Sequence, residues 1–195
     1  MKPYSEACDQ NREPILAVLS EELADCHRVL EIGSGTGQHA IYFGKHLSHL
    51  VWQTSDTESN HPGINAWLDE AGLENVQRPL SLDVGSHWPG DTFDGVFSAN
   101  TTHIMSWPHV IDMFNGIGNI LESGGVFCLY GPFNYEGKYT SESNERFDGW
   151  LKNRDPSSGV RNFEDLDTLA RSGRMQFSHD HEMPANNRLL VWKKQ

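Results

Sequence analysis

The sequence has no apolar run approaching the roughly 20 residues that a membrane-spanning helix needs. Apolar residues make up only 37% of it. A membrane-embedded protein is therefore not expected. The opening residues, MKPYSEACDQNREP, lack the apolar core of a signal peptide, so the expected location is the cytoplasm. Basic residues are scarce: 15 Lys and Arg stand against 27 Asp and Glu, for a formal charge of −12. No basic cluster is longer than Lys193-Lys194. A chain this acidic repels nucleic-acid backbones and anionic membranes, and neither is expected as a partner. Cysteine is also scarce. Cys8, Cys26 and Cys128 are odd in number and far apart, which fits reduced thiols better than a disulfide framework. No CxxC occurs, so a zinc site built on cysteine pairs is not expected. There is no internal repeat and no low-complexity linker.

What is present is an alternation of short apolar runs with amphipathic stretches. Helices are expected over residues 13–25, 37–48, 61–71, 107–123, 143–152 and 163–172. Pro14 suits the first turn of the first of these, and Gly124-Gly125 ends the fourth. Strands are expected over 28–32, 50–55, 75–83, 93–99, 125–131, 175–183 and 188–194. Pro79 within the third strand points to an edge position or a bulge. Strands that alternate with helices build a parallel sheet covered on both faces. The last two strands have no helix between them and should close one edge as a hairpin. The expected fold is a single α/β domain, doubly wound, with a mostly parallel seven-stranded sheet and a C-terminal antiparallel hairpin. Ligands of such sheets bind beyond the carboxyl ends of the strands. The loops after residues 32, 55, 82, 99 and 131 should therefore line one cleft.

The first of these loops reads VLEIGSGTGQH, residues 29–39. Gly33, Gly35 and Gly37 let the backbone turn tightly and approach a ligand closely. A dinucleotide fingerprint, G-x-G-x-x-G, would need glycine where Gln38 stands. Glu31 would also repel a pyrophosphate. S-adenosylmethionine carries no phosphate but a sulfonium, an ammonium and one carboxylate, and an acid beside the loop suits that ligand. Asp56 ends the second strand, where an acid accepts hydrogen bonds from ribose hydroxyls; it could instead cap the following turn. Asp83 ends the third strand and could equally be a solvated turn acid.

The pattern E-x-G-x-G-x-G after a strand resembles motif I of the class I S-adenosylmethionine-dependent methyltransferases, which have a Rossmann-like fold. The resemblance covers nearly the whole chain. It implies that Asp83, with the next main-chain amide, meets the adenine and that Val84 flanks the ring. NREPIL (11–16), VLEIGSGTGQHA (29–40), SANTTHIMSW (98–107) and YGPFNYEGKYTSESN (130–144) together resemble the methyltransferase-like proteins of domain-of-unknown-function family 938. That resemblance strengthens the cofactor reading and leaves the methyl acceptor open.

Methyl transfer needs donor and acceptor held in line with water excluded, and a base only if the acceptor must lose a proton. The segment SANTTHIMSWPHV follows the fourth strand and should face the sulfonium. Carbonyls near Ala99 and Asn100 are candidates to hold the donor's ammonium, Asn100 to orient a ligand, and His103 to act as base. Residues 132–161 are expected to form a substrate loop, with Phe133, Tyr135 and Tyr139 as aromatic walls carrying polar tips. Glu136 and Arg146 are possible charge partners there. Residues 1–13 are expected to form a lid, from which Asn11 and Arg12 reach the donor carboxylate or the acceptor. His179 and His181 share a strand face and could ligate a metal, but an exposed edge strand explains them as well. No third ligand is evident, so no metal is expected.

After the fourth strand the chain reads Asn100-Thr101-Thr102-His103, where many enzymes that methylate amino groups of nucleic-acid bases carry Asn/Asp-Pro-Pro-aromatic. The Pro-Cys pair of cytosine-ring methyltransferases is also absent. With the net charge, this points to a small-molecule acceptor. Two other readings stay open. One is a non-catalytic S-adenosylmethionine-binding protein with a regulatory or scaffolding role. The other is an NAD(P)-dependent oxidoreductase, against which Gln38, Glu31 and the lack of a Tyr-x-x-x-Lys pair all count. Oligomeric state is not readable from the sequence.

Overall fold

The structure, a computed structural model, describes residues 2–195. Nine strands and six α-helices follow one another as α1 (Glu6–Glu22), β1 (Arg28–Ile32), α2 (Gln38–His46), β2 (Val51–Asp56), α3 (His61–Ala71), β3 (Val76–Ser81), β4 (Phe93–Ala99), α4 (Trp107–Ile120), β5 (Leu121–Gly131), β6 (Phe133–Asn134), α5 (Glu142–Arg154), β7 (Arg161–Asn162), α6 (Phe163–Ser172), β8 (Met175–Met183) and β9 (Asn187–Lys194). Seven of the strands form one sheet in the order β3-β2-β1-β4-β5-β9-β8. Its first five pair in parallel, and β9 runs antiparallel to both β5 and β8. The expected fold class is the observed one. Strand order reverses between β1 and β4, which fixes where a cleft can open.

The sheet forms because its central strands are apolar on both sides, as a doubly covered sheet requires. Side chains alternate between faces with period two. Phe97, Cys128 and Val191 join α1 and α2 residues such as Ile15, Leu19 and Phe43 on one face. Val96, Phe127 and Trp192 join α4 and α6 residues such as Phe114 and Leu166 on the other. Each of these large side chains, fully buried, contributes about 1.5–3 kcal/mol of transfer free energy. β3 is indeed the outer strand, and its register with β2 slips between Gln53 and Ser55, opposite Gln77 and Leu80. The bulge takes in Pro79, which has no N–H to give a ladder. Among the described residues, no helix is long and apolar enough to cross a membrane.

Three boundaries differ from expectation, and each matters for the site. First, α1 begins at Glu6, so Pro14 lies inside the helix rather than in its first turn. The acidic Glu6 and Asp9 in the first turn favour this start by facing the positive end of the helix dipole. Residues 6–13, expected as lid, are therefore the first turns of α1. Second, α4 stops at Ile120, and the chain enters β5 directly, with Gly124 in the left-handed region at φ 84°. Third, residues 132–161 are built rather than loose. β6 and β7 pair as a small parallel ladder around α5. Asp148 ties the segment together, accepting from the Tyr139 hydroxyl at 2.7 Å, Lys152 Nζ at 2.6 Å and the Val160 amide at 2.7 Å. Arg161 then clamps it to the β4–α4 loop by donating to the Thr102 carbonyl at 3.1 Å and to that of Met105.

Candidate functional site

The three loop glycines all adopt positive φ: 74° at Gly33, 58° at Gly35 and 89° at Gly37. L-residues other than glycine pay for that conformation. Two of the three also have no room for a side chain. A Cβ on Gly33 would sit 2.7 Å from Thr101 Cγ2, and one on Gly37 would sit 3.1 Å from the Ile64 Cα in α3. The loop is thus pressed between the β4–α4 loop and α3. Its turn is fixed by the Ser55 carbonyl, which accepts from the Gly33 and Ser34 amides at 3.1 and 2.9 Å.

Glu31 lies beneath this turn and does not line the cleft. Only 2% exposed, it accepts from the Ser34 hydroxyl at 2.7 Å and from Trp52 Nε1 at 3.3 Å. Burial pushes its carboxyl up to about 7, against the pull of those two hydrogen bonds, and the charge of Asp56 adds to the rise. Asp56 braces the loop from the side: it accepts from the Gly35 amide at 2.7 Å, the Thr57 amide at 2.7 Å and Asn60 Nδ2 at 2.9 Å. Asp83 is exposed and closes its own turn, accepting from the Gly85 amide at 3.2 Å, while Val84 is buried in the core. Asp56, Asp83 and Val84 lie along the carboxyl edge of the sheet without lining the central cleft.

That cleft has a volume of about 780 Å³ and opens at the β1/β4 switch point. Its floor is Gly33, Ser34, Gly35 and Thr36 with Ala99 and Asn100. One wall comes from α1 and α2 through Cys8, Gln10, Asn11 and His39. The other comes from His103, Tyr130 and Phe147. The roof joins Ser143 and Asn144 of α5 to the turn before β9. Asn144 Nδ2 donates to the Asn186 carbonyl at 3.0 Å, and Asn186 Nδ2 donates to the Ser143 hydroxyl at 3.1 Å. Among the described residues, no Asp, Glu, Lys or Arg lines the cleft.

Two histidines face into it. His39 donates from Nε2 to Asn11 Oδ1 at 2.7 Å, and Asn11 also hydrogen-bonds the Tyr130 hydroxyl. Burial, aided by the nearby Arg12 charge, pulls its imidazole down to about 4. His103 is 6% exposed and packs edge-on against Phe147. Burial and then the Arg161 charge pull it down to about 4 as well. Among the described residues neither of its ring nitrogens has a hydrogen-bond partner. Its Nδ1 and Asn100 Oδ1 converge on the bare backbone of Gly131, where an added Cβ would meet them at 3.8 and 3.9 Å. Asn100 itself holds a left-handed φ of 59°, pinned by its amide donating to the Tyr130 carbonyl at 2.9 Å. A non-glycine residue in that conformation is the kind of local strain that collects at functional sites.

Several expected site residues lie elsewhere. Asn11 lines the cleft, but Arg12 does not. Successive helical residues point about 100° apart, so Arg12 turns into a second cavity of about 430 Å³ between α1, α2 and α3. There it pairs with Asp9 at 2.6 Å and covers the Tyr42 ring. Phe133 is fully buried in the core. Tyr135 stacks on Phe163 and donates to Asp180 at 2.8 Å, and Tyr139 is spent on Asp148. None of these three aromatics lines the cleft. Glu136 is exposed, and Arg146 pairs weakly with Glu142 at 3.6 Å. Phe147, Asn144 and the 184–187 turn take the place given to these residues. Topology foretells the last: β9 runs opposite to β5, so its first residues must start at the cleft edge.

The sequence profile of a family described as proteins of unknown function, DUF938, matches residues 2–194. The chain belongs to the DUF938 family. This DUF938 protein is 25% identical over 136 residues to an uncharacterized methyltransferase, YcgJ, of Bacillus subtilis strain 168, covering 65% of the chain and 53% of that relative. An O-methyltransferase family protein from Burkholderia thailandensis has the same fold, with a TM-score of 0.83 at 13% identity over 94% of this chain and 56% of that one. Human N-acetylserotonin methyltransferase in complex with SAM gives 0.81 at 14%, over 97% and 53%. The O-methyltransferase NcsB1 from neocarzinostatin biosynthesis, in complex with S-adenosylmethionine and a naphthoic acid, gives 0.81 at 13%, over 97% and 55%. The DUF938 chain thus spans about half the length of these proteins, and its fold is that of the class I methyltransferases.

Two outcomes test the loop. Gly33→Ala should lower unfolding free energy by about 1–3 kcal/mol, from both the positive φ and the Thr101 methyl. Adding Thr101→Ser, which keeps the hydroxyl and deletes the methyl, should restore part of that loss in urea denaturation. For Glu31 the folded carboxyl titrates higher than the unfolded one. Its ionisation therefore erodes stability as pH rises from about 4.5 to about 7, by at most about 3 kcal/mol, and no further above that. Glu31→Gln should be stabilised relative to the parent at pH 8 and much less so at pH 5. A thermal shift equal at both pH values would refute the assignment.

Proposed function

We propose that this DUF938 protein is a methyltransferase that uses S-adenosylmethionine to methylate an uncharged polar small molecule. The observation that carries the reading is a tightly turned, cross-braced glycine loop at the strand-order switch, facing a neutral imidazole across one cleft. The methyltransferase fold supports it, as do the SAM complexes of two structural neighbours.

The residues fit the cofactor at several points. Gly33 and Gly35 present bare backbone to the cleft. Asp56 spends three short hydrogen bonds on main-chain and amide donors beside Gly35. A carboxylate offers about four lone-pair sites, two on each oxygen; the Thr57 amide and hydroxyl and Asn60 crowd Oδ1, whereas Oδ2 takes only the Gly35 amide and keeps a site for a ribose hydroxyl. The carbonyls of Ala99 and Asn100 at the floor would accept from the ammonium, and Asp83 beyond β3 would take the adenine edge. Glu31 serves the loop rather than the ligand: it holds Ser34 in place. Arg12 has no part in this site.

When bound, the cofactor supplies an electrophilic methyl group on a cationic sulfur. The chain's own work is to hold, orient and deprotonate. Asn100 and the Asn11 pair with His39 and Tyr130 offer oriented dipoles to an acceptor. His103 Nδ1, free of protein partners, takes the proton that the acceptor sheds. The hydrogen bonds between Asn144, Ser143 and Asn186 brace one side of the cleft. The cofactor carries its own ammonium and sulfonium against its carboxylate, but a phosphate or carboxylate acceptor would find no cationic side chain in the cleft lining, which is costly. Recognition by amides and hydroxyls selects an uncharged polar molecule instead.

Calorimetric titration with S-adenosylmethionine, S-adenosylhomocysteine and NAD in parallel checks the cofactor. The expected result is one-to-one binding of both sulfur ligands and none of NAD; preference for NAD would replace the reading outright. Once an acceptor is found by homocysteine-product release, His103 makes its own prediction. Its imidazole is neutral, and so competent as a base, down to about pH 4. The acid limb that it sets in kcat/KM should therefore fall near pH 4 and not near the ordinary histidine value of about 6.5. His103→Ala should cost on the order of 10²–10⁴ in kcat, and full turnover by that variant would remove it from the mechanism.

A further inference from the structure

Far from the cleft, α1 ends on a carboxylate in a poor electrostatic position. Glu22 is the last residue of the helix, at the negative end of its dipole, with no basic residue in the last turn. Its side chain is only 8% exposed. Among the described residues no Lys or Arg nitrogen lies within 4.0 Å of it. Its partners are two histidines of the outer strand β8. His181 Nε2 hydrogen-bonds Oε1 at 2.8 Å, and His179 Nδ1 lies 2.8 Å from the same oxygen.

A β-bulge brings the three together. In the β8–β9 ladder Phe177 stands opposite Trp192, but His179 stands opposite Val191, so Ser178 is an extra residue. Without the bulge, residues 177, 179 and 181 would share one face. With it, Phe177 goes to the α4 and α6 side beside Trp192, while both histidines turn to the α1 side, with Val191 and Leu189. Bulges re-aim side chains in this way.

We propose that Glu22, His179 and His181 bind a divalent transition-metal ion, zinc above all, and that the ion clips the end of α1 to the edge strand. Two imidazoles and a carboxylate are donors that zinc takes at about 2.0–2.2 Å; hard cations such as magnesium prefer all-oxygen shells. One ligand atom from each residue already lies within 4.8 Å of the other two. A tetrahedral site with such bonds needs its ligand atoms ~3.4 Å apart, so only small side-chain rotations are required. Ser178 Oγ, 3.2 Å from His179 Nδ1, would swing aside. His179 is 54% exposed at its side chain, which leaves a route in and an open coordination position. The cation would neutralise a buried carboxylate that the fold otherwise leaves to two titratable rings. It would also fix α1, whose Asn11 lines the cleft about 16 Å further along the helix axis. The clip is independent of the methyltransferase reading.

The test is titration of the full chain, stripped with chelator, with zinc chloride, followed by calorimetry and thermal melting. One equivalent should bind and raise Tm, and excess magnesium should do neither. His179→Ala should weaken zinc binding at least about tenfold while leaving the metal-free Tm within a few degrees, because the side chain is half exposed. Glu22→Gln should keep the histidine contacts yet lose the zinc-dependent rise in Tm. Cobalt(II) should give a tetrahedral visible spectrum in the parent that both variants lack. No saturable one-to-one binding, or binding unchanged in both variants, would overturn the site and assign any residual uptake to the other surface histidines.

Discussion

The cleft rests on a buried carboxylate that holds up a turn. Glu31 fixes the Ser34 hydroxyl, the Ser34 oxygen in turn accepts the Ser55 amide at 3.1 Å, and the Ser55 hydroxyl donates to the Glu31 carbonyl at 2.6 Å. The ring of bonds locks β1, the glycine loop and β2 into one unit. Ser98 extends it to β4, donating to the Ile32 carbonyl at 2.8 Å and lying 2.7 Å from the Thr101 hydroxyl. Every strand end at the switch point is therefore cross-tied by a short hydroxyl. Five buried polar side chains in one network would be costly if unpaired; paired, they specify one geometry for a backbone that glycine would otherwise leave free. The floor of the cleft is rigid for this reason.

The α1 wall is attached by mimicry of a strand. Gln38 Oε1 accepts the Ser5 amide at 2.6 Å, and its Nε2 donates to the Ser5 carbonyl at 3.3 Å, so a side chain pairs with main chain as a ladder partner would. The next residue, His39, makes the second tie, to Asn11. Residues adjacent to the last loop glycine thereby set the position of the helix that closes the cleft. The residue that rules out a dinucleotide fingerprint is the residue that docks α1. Pro14 has a part in the same wall: lacking an N–H, it leaves the Gln10 carbonyl without its helical partner, and Gln10 lines the cleft.

The order of strands and helices was legible because each central strand is a short β-branched or aromatic run and each crossover helix has a single apolar stripe. The glycine loop was legible because positive φ leaves few other residues available. The start of α1 was not. Pro14 is a strong helix-start signal, and the Asp9–Arg12 pair, one turn apart on α1, shows itself only in the structure. That misplacement sent Arg12 to the cleft, where helical geometry allows only Asn11. The place of residues 133–139 after the fifth strand, the length of the segment and its aromatic composition all point to a substrate wall. Burial and hydrogen bonding decide otherwise: a tyrosine whose hydroxyl is spent on Asp180 or Asp148 has no free tip for a ligand. The third member of the histidine cluster was invisible for a different reason. Glu22 and His181 are far apart in sequence, and only packing of α1 on β8 joins them.

The least expected property is the neutrality of the cleft in a chain with a formal charge of −12. The acids are placed outside or beneath it: Glu31 under the loop, Asp56 at its flank, Asp9 in the neighbouring cavity. At a distance such a surface draws a cationic ligand toward the molecule. At contact, the lining offers amides, hydroxyls, the Cys8 thiol and two imidazoles held neutral by burial. A positive charge is thus attracted but not clamped by an ion pair. A site of this kind gains nothing from keeping charge separated, since low dielectric without counter-ions penalises it. It favours a step in which charge is dispersed and a proton moves. His103 fits that need. In the proposed mechanism it would, as a weak base, leave a resting hydroxyl protonated and accept the proton only once the acceptor atom has begun to turn acidic. The Arg161 guanidinium, bonded to the carbonyls flanking His103, helps to hold the imidazole in that weakly basic state. The charge that shapes this chemistry therefore sits one layer behind the cleft wall.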